Sequence, residues 1–160
     1  MKRVNCILED DDFLSYIAKN KELEQDRMFC HHDINHLLDV CRIAWILNLE
    51  ENLSIPKETV YASGLLHDIG RWVEYETGKD HAIASGELAD SILTRCGFLN
   101  DEKANILRAI ISHRNKEHRA DLSRILYRAD KLSRPCFHCD AKSRCKRFQK
   151  GEKQILYFRY

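Results

Sequence analysis

Apolar residues recur along this chain at intervals of three and four, the period of a helix that buries one face. The acidic run Glu9-Asp10-Asp11-Asp12 precedes Phe13, Leu14 and Ile17, and its charges suit the start of a short first helix. A second helix is predicted from about His32 to Leu49, with Leu37, Val40, Cys41, Ala44 and Leu47 on one face. Pro56 fits the first turn of a third, which carries Val60, Leu65 and Leu66 and stops near Gly70. Asp80 is a plausible N-cap for a fourth, built on Ile83, Leu88 and Ile92 and ending at Cys96-Gly97. Asn100 caps a fifth, with Ile106, Ile110 and Ile111 inside, and Asp121 opens a sixth through Leu122, Ile125, Leu126 and Ala129. Pro135 stops that helix. Beyond it, a short basic helix around Ala141 to Gln149 and an extended piece at Ile155-Leu156-Tyr157-Phe158 are expected.

Composition agrees with an all-α chain. Two Pro and six Gly in 160 residues leave little room for many β-turns. The length fits one compact domain, 1–160, with a core at about 32–134 and a Cys-containing basic extension at 135–160. No apolar run approaches a bilayer span and no signal-peptide core follows Met1-Lys2-Arg3, so a cytoplasmic protein with no membrane partner is expected. The net charge of +1 hides an asymmetry. From Lys131 onward there are nine Lys/Arg and two acidic residues, 9 − 2 = +7, so the rest carries 1 − 7 = −6. Such a tail can steer phosphate-bearing ligands. Sparse aromatic interleaving argues against nucleic acid. An oligomer stays open.

The polar residues that fall on apolar faces carry the chemistry. His36 precedes Val40 and Ile43 on a face that must be buried. His113 follows Ala109 and Ile110. Asp130 abuts Leu126 and Ala129, where an unpaired carboxylate is costly. His67-Asp68 sits where the apolar run Leu65-Leu66 meets Gly70, and Ser63 and Gly64 behind it let another helix approach. His81 opens the fourth helix beside Ala84 and Ser85. One inward histidine is ordinarily a hydrogen-bonded core residue. Several, with two inward carboxylates, are hard to satisfy without a cation, and a nitrogen–oxygen ligand set suits Zn, Mn or Fe. His31, His118 and His138 show no such placement. His32 precedes His36 by four residues, and ligand, substrate-contact and structural roles are all open to it.

The stretches His36-Leu37-Leu38-Asp39-Val40, Leu65-Leu66-His67-Asp68-Ile69-Gly70 and Ala129-Asp130-Lys131 resemble the HD-domain superfamily of metal-dependent phosphohydrolases, over about His32 to Arg134. The resemblance implies a helical bundle of six to seven helices. It implies His36, His67, Asp68 and Asp130 as ligands of one divalent cation (Fe, Mn, Co, Mg or Zn). His81 and His113 stand where a two-metal subset holds a second ion, with Asp68 bridging. It further implies hydrolysis of a nucleotide or related small phosphate ester by metal-activated hydroxide, with Asp68, Arg71 and Lys131 catalytic. His32, Arg71, Arg114 and Arg134 are candidate substrate contacts. A plain alternative for Arg71 is a charge that complements a helix C-terminus. The chain lacks the Gly-Tyr-Pro signature of HD-type cyclic-dinucleotide phosphodiesterases. It has His113-Arg114-Asn115 where dinucleoside-tetraphosphate hydrolases tend toward His-Thr. Two other functions remain in view, a di-iron oxygenase and a nucleotide sensor without turnover.

Seven cysteines is an odd number, and without a secretory context no disulfide is expected. Cys41 and Cys96 fall within helical patterns as core or near-core thiols. Cys136-x2-Cys139-x5-Cys145 could form a structural zinc site if Cys30 or Cys6 supplied a fourth ligand.

Overall fold

The computed structural model describes residues 1–116, 120–149, 151 and 160. His118 and the stretch Ile155-Leu156-Tyr157-Phe158 lie outside them. Among the described residues the regular structure is all helical: α1 (Lys2–Glu9), α2 (Asp11–Leu23), α3 (Ile34–Glu50), α4 (Lys57–Leu66), α5 (Arg71–Thr77), α6 (His81–Arg95), α7 (Asn100–Ser112) and α8 (Asp121–Leu132), then 3-10 turns at Cys136–His138 and Lys142–Arg144 and a last turn, α9 (Lys146–Gln149). None of these helices is long and apolar enough to cross a membrane.

Helix α4 is the centre of the molecule. Seven of its ten residues are buried, polar Thr59 and Ser63 among them, and α1, α3, α6, α7 and α8 all pack against it. Its small residues set the spacing. A Cβ on Gly64 would lie 2.6 Å from Cys41 Sγ and 3.1 Å from the Cys41 backbone, so α3 crosses at contact distance. Leu37, Val40, Cys41, Ala44 and Leu47 of α3 are buried against it, as their spacing predicts. So are Ile106 and Ile110 of α7 and Ile125, Leu126 and Ala129 of α8.

Two helices depart from expectation. α1 is too short for its two buried residues, Val4 and Ile7, to show a period. It is held by tertiary contacts instead: Arg3 pairs with Glu58 of α4 and Glu102 of α7, both at 2.7 Å, and Cys6 forms a disulfide with Cys96 at the end of α6. Cys96 is therefore a near-core half-cystine, not the thiol expected. Cys41 is a buried thiol that donates to Tyr61 O. The second departure is at Gly70. It follows the end of α4 but also precedes α5, so Arg71 opens a helix rather than closing one. The plain reading of Arg71 as a C-terminal helix charge fails for that reason. Three of the apolar positions expected inside face outward: Leu14 is 51% exposed, Ile83 45% and Ile111 48%. Their helices are wider in apolar residues than the face they bury.

Capping follows the sequence more closely. Asp10 accepts from the backbone of Asp12 and Phe13, Asp33 from that of His36, and Asp80 from that of Ala82. Leu99, not Asn100, occupies the cap position of α7, and Asn100 is its first residue.

The turn 67–70 joining α4 to α5 is tied to α2 by a buried side chain. Asn20 Nδ2 donates to Asp68 O at 3.0 Å, and Asn20 Oδ1 accepts from Trp72 N at 2.8 Å. Asn20→Ala removes both bonds, leaving Trp72 N without this acceptor and Asp68 O with Arg71 N alone. It should lower the unfolding free energy by about 2–3 kcal/mol, measured by urea denaturation of the chelated protein. A loss under about 0.5 kcal/mol would mean that the turn holds itself.

Candidate metal centre

Five histidines reach the centre, and four of them sit at helix ends. His67 and His113 follow the last residues of α4 and α7, and each turns Nδ1 back onto its own helix. His67 Nδ1 lies 2.8 Å from Gly64 O and His113 Nδ1 lies 2.6 Å from Ile110 O. Carbonyls accept, so both Nδ1 atoms carry a proton, and in the neutral ring the lone pair is on Nε2. His81, the first residue of α6, has Nδ1 at 2.6 Å from Glu74 Oε2. His36, in the first turn of α3, has Nδ1 at 3.3 Å from Ser133 Oγ. His32 lies before α3, not on it, with Nδ1 at 2.5 Å from Glu24 Oε1. It therefore shares no helical face with His36.

With every Nδ1 engaged, every Nε2 points at Asp68. His36 and His67 approach its Oδ2, at 3.7 and 3.0 Å. His81 and His113 approach its Oδ1, at 3.2 and 3.6 Å. Asp130 Oδ1 lies 3.5 Å from His36 Nε2 and 4.0 Å from His67 Nε2. Two sets of ligand atoms thus lie within 4.8 Å of one another, His36/His67/Asp68/Asp130 and Asp68/His81/His113. Asp68 belongs to both. His32 Nε2, 3.8 Å from Asp68 Oδ2, belongs to neither.

The residues fit a cation. All are buried, and His36 Nε2, His67 Nε2 and Asp68 Oδ1 have no hydrogen-bond partner. Lone pairs of imidazole and carboxylate facing each other across 3–4 Å repel unless positive charge sits between them. Within the protein, that charge comes partly from Arg134 Nη2, 2.7 Å from Asp130 Oδ1, and Lys131 Nζ, 2.6 Å from Asp130 Oδ2. Burial works against the ionised form of Asp130, but Arg134 and His36 outweigh it and hold the carboxyl well below its usual range. Asp68 behaves likewise: burial opposes its charge, but His67 and His36 outweigh it and hold the carboxyl well below its usual range.

The other expected contacts are spread around this core. Arg71 is largely buried, with Nη1 at 2.8 Å from Glu74 Oε2. That oxygen also receives His81, so Glu74 ties the arginine to the second ligand set. Arg71 Nε is buried without a partner. Arg114 is half-exposed at the rim and pairs with Asp80 at 2.7 Å. Arg134 and Lys131 meet at Asp130 rather than at an open surface. Sequence reasoning missed Glu24, Glu74 and Ser133, which orient His32, His81 and His36. Each is an ordinary polar residue in its own helix or turn. Only tertiary distance distinguishes it.

The histidine environments set a pH dependence in the metal-free protein. Burial lowers His32 and His113 to about 4, despite the pull of Asp68. Burial also acts on His36, but Asp130 and Asp68 outweigh it and raise this ring to about 8. Below about 6.5 the unfolded chain binds protons that neutral His32 and His113 refuse, so stability falls as pH drops toward 4. Above about 6.5 the native state alone keeps the His36 proton, and that contribution is lost as pH rises through 8. Chelated protein should therefore be most stable near pH 6.5 in urea titrations. A stability that climbs steadily from pH 6.5 to 9 would contradict this assignment of charge.

Comparison with known proteins agrees with this geometry. The HD domain family matches residues 33–134. A protein of Clostridium beijerinckii, described as uncharacterized, is 43% identical over 145 residues, 91% of this chain and 92% of that one. Ribonuclease Y 1 of Pediococcus pentosaceus and ribonuclease Y of Geotalea uraniireducens are 34% and 33% identical, over 50% and 61% of this chain. Those matches span only 14% and 17% of the ribonucleases themselves. The crystal structure of an HD superfamily hydrolase, so named by prediction, from an uncultured Thermotogales bacterium superimposes with a TM-score of 0.60 at 30% identity. It covers 75% of this chain and 65% of that one. The chain belongs to the HD domain family.

Proposed function

We propose that the protein is a divalent-metal-dependent phosphohydrolase acting on a nucleotide or a related small phosphate ester or anhydride. The observation that carries this reading is the division of Asp68, with Oδ2 toward His36 and His67 and Oδ1 toward His81 and His113. His36, His67, Asp68 and Asp130 would hold one cation, and Asp68, His81 and His113 a second. Such cations, when bound, acidify a coordinated water and polarise phosphoryl oxygens. The ribonuclease Y relatives, which by name cleave a phosphodiester polymer, favour phosphoryl chemistry over oxygen activation.

The chain's own residues supply the rest. Arg71 is oriented by Glu74 beside His81, and its guanidinium offers a fork to a phosphate. Lys131 and Arg134 keep Asp130 ionised as a ligand and add positive potential that draws an anionic substrate. Arg114, at the rim, is a further phosphate contact. His32 is neutral at pH 7, with its Nδ1 proton held by Glu24. Its Nε2 can therefore accept a hydrogen bond from a water or a substrate hydroxyl.

Purified protein should release phosphate from nucleotides when Mn, Fe, Co or Mg is supplied. Absence of turnover across nucleoside mono-, di- and triphosphates and dinucleoside polyphosphates with all four metals would overturn the reading. Metal analysis tests its geometry: His81→Ala should lose one equivalent, and Asp68→Ala should impair both positions. A wild-type protein that never exceeds one metal at this centre would assign His81 and His113 to other work.

Arg71→Ala should keep its metal and lose about 10²–10³ in kcat/KM, the scale of one charge-stabilising donor. Arg71→Lys should recover only part of that, since an ammonium lacks the fork. Full activity in Arg71→Ala would move the phosphate role to Arg114 or Lys131.

A further inference from the structure

A second set of metal-ligating side chains lies outside the HD centre. Cys30, Cys136, Cys139 and Cys145 take part in no disulfide. One precedes α3 and three follow α8, yet all four line one cavity of about 400 Å³. Phe29 and Phe148 form apolar wall beside them. The fourth position left open by the sequence, Cys30 or Cys6, resolves to Cys30, because Cys6 is bound to Cys96.

Apolar burial contributes little to holding the 136–145 segment. Ala141 alone of its ten residues is buried, Phe137 is 45% exposed, and the backbone makes two isolated 3-10 turns. So little apolar burial cannot offset the entropy of ordering such a stretch. A metal centre is the usual staple where a core is missing. Charge points the same way. In the sequence, residues 134–147 carry five Lys/Arg and one Asp, 5 − 1 = +4, in the segment that holds three of the thiols. Arg134 also reaches Cys30.

The spread of the thiols distinguishes the kind of centre. Tetrahedral zinc with Zn–S bonds of about 2.3 Å brings its sulfurs to about 3.8 Å from one another. Among the described residues, the groups of three or more ligand atoms within 4.8 Å are the two at Asp68, and the cysteines form no such group. They line a space of about 400 Å³ instead. Three cysteines from one short loop and a fourth from afar also differ from the two close pairs of a zinc ribbon.

We propose that Cys30, Cys136, Cys139 and Cys145 ligate a 4Fe–4S cluster that fastens the C-terminal extension to the helical core. Four thiols release four protons, and the resulting thiolates around a doubly positive core leave a centre of charge −2, matched by the basic segment. The role is structural. It also fixes Arg134, whose guanidinium spans Cys30 and Asp130. This proposal stands apart from the phosphohydrolase reading.

The test is iron and acid-labile sulfide analysis of the whole chain, purified without oxygen and reconstituted with sulfide and equal amounts of ferrous and ferric iron, the mixture that a doubly positive core requires. About four sulfides per chain are expected, with broad visible absorption. The HD centre binds no sulfide, so iron there does not confuse the count. Cys30→Ser and Cys139→Ser should each lose nearly all the sulfide while circular dichroism keeps its helical signal. His67→Ala should retain it. Wild-type protein that takes up no sulfide, or that holds about one zinc on these cysteines instead, overturns the cluster. Sulfide retained in Cys30→Ser overturns the ligand set.

Discussion

Two carboxylates buried in the middle of a helical bundle are the constraint on which the rest of this molecule depends. Asp68 and Asp130 are 2% and 3% exposed, and α3, α4, α6, α7 and α8 must deliver opposite charge to them or the core does not hold. The solution is directional. Each histidine turns its Nδ1 toward a carbonyl, a carboxylate or a hydroxyl away from the centre, which leaves Nε2 facing in. Helix ends serve this well. The last turn of α4 or α7 has carbonyls without an intrahelical donor, and a histidine just past the end can reach back to one. The ring is then locked at both its proton and its lone pair before any cation arrives.

This explains what was legible in the sequence. His36, His67, His81, His113, Asp68 and Asp130 could be singled out because each is polar on a face whose period marks it as inward. The period is a local property and survives in one dimension. The shell behind them is not local. Glu24 lies eight residues from His32, Glu74 seven from His81, and Ser133 ninety-seven from His36. None breaks a hydrophobic pattern, so nothing in the one-dimensional string marks them. The same reasoning covers α1, which is too short for a period and is held by Arg3 and a disulfide. His32 misled for a related cause: spacing of four implies a shared face only when both residues are in the helix, and Asp33 caps α3 just after His32.

Charge is organised in layers around the centre. Anionic Asp68 and Asp130 are ringed by imidazoles, then by Arg134, Lys131 and Arg71. Glu74 lies beyond Arg71, and the basic extension lies beyond Arg134. Glu74 couples two of these layers, since one of its oxygens meets both Arg71 and His81. A change in the guanidinium's position is therefore felt by the ring that faces Asp68. Ligand geometry and phosphate contact are not independent variables in this fold.

Gly70 has a role that extends beyond the turn it forms. Its amide donates to Ser85 Oγ at 2.8 Å, and a Cβ there would stand 2.5 Å from Ser85 N. The gap between α4 and α6 is thus set by the absence of one methyl group. His67 and Asp68 ride on the α4 side of that gap and His81 on the α6 side. Across descendants of this sequence, a larger residue at position 70 can persist only if α6 backs away, and His81 retreats with it. Position 70 and the reach of the residue at position 81 should accordingly drift as a pair, while His36, His67 and Asp130, anchored on α3, α4 and α8, stay behind. The first ligand set can be inherited without the second.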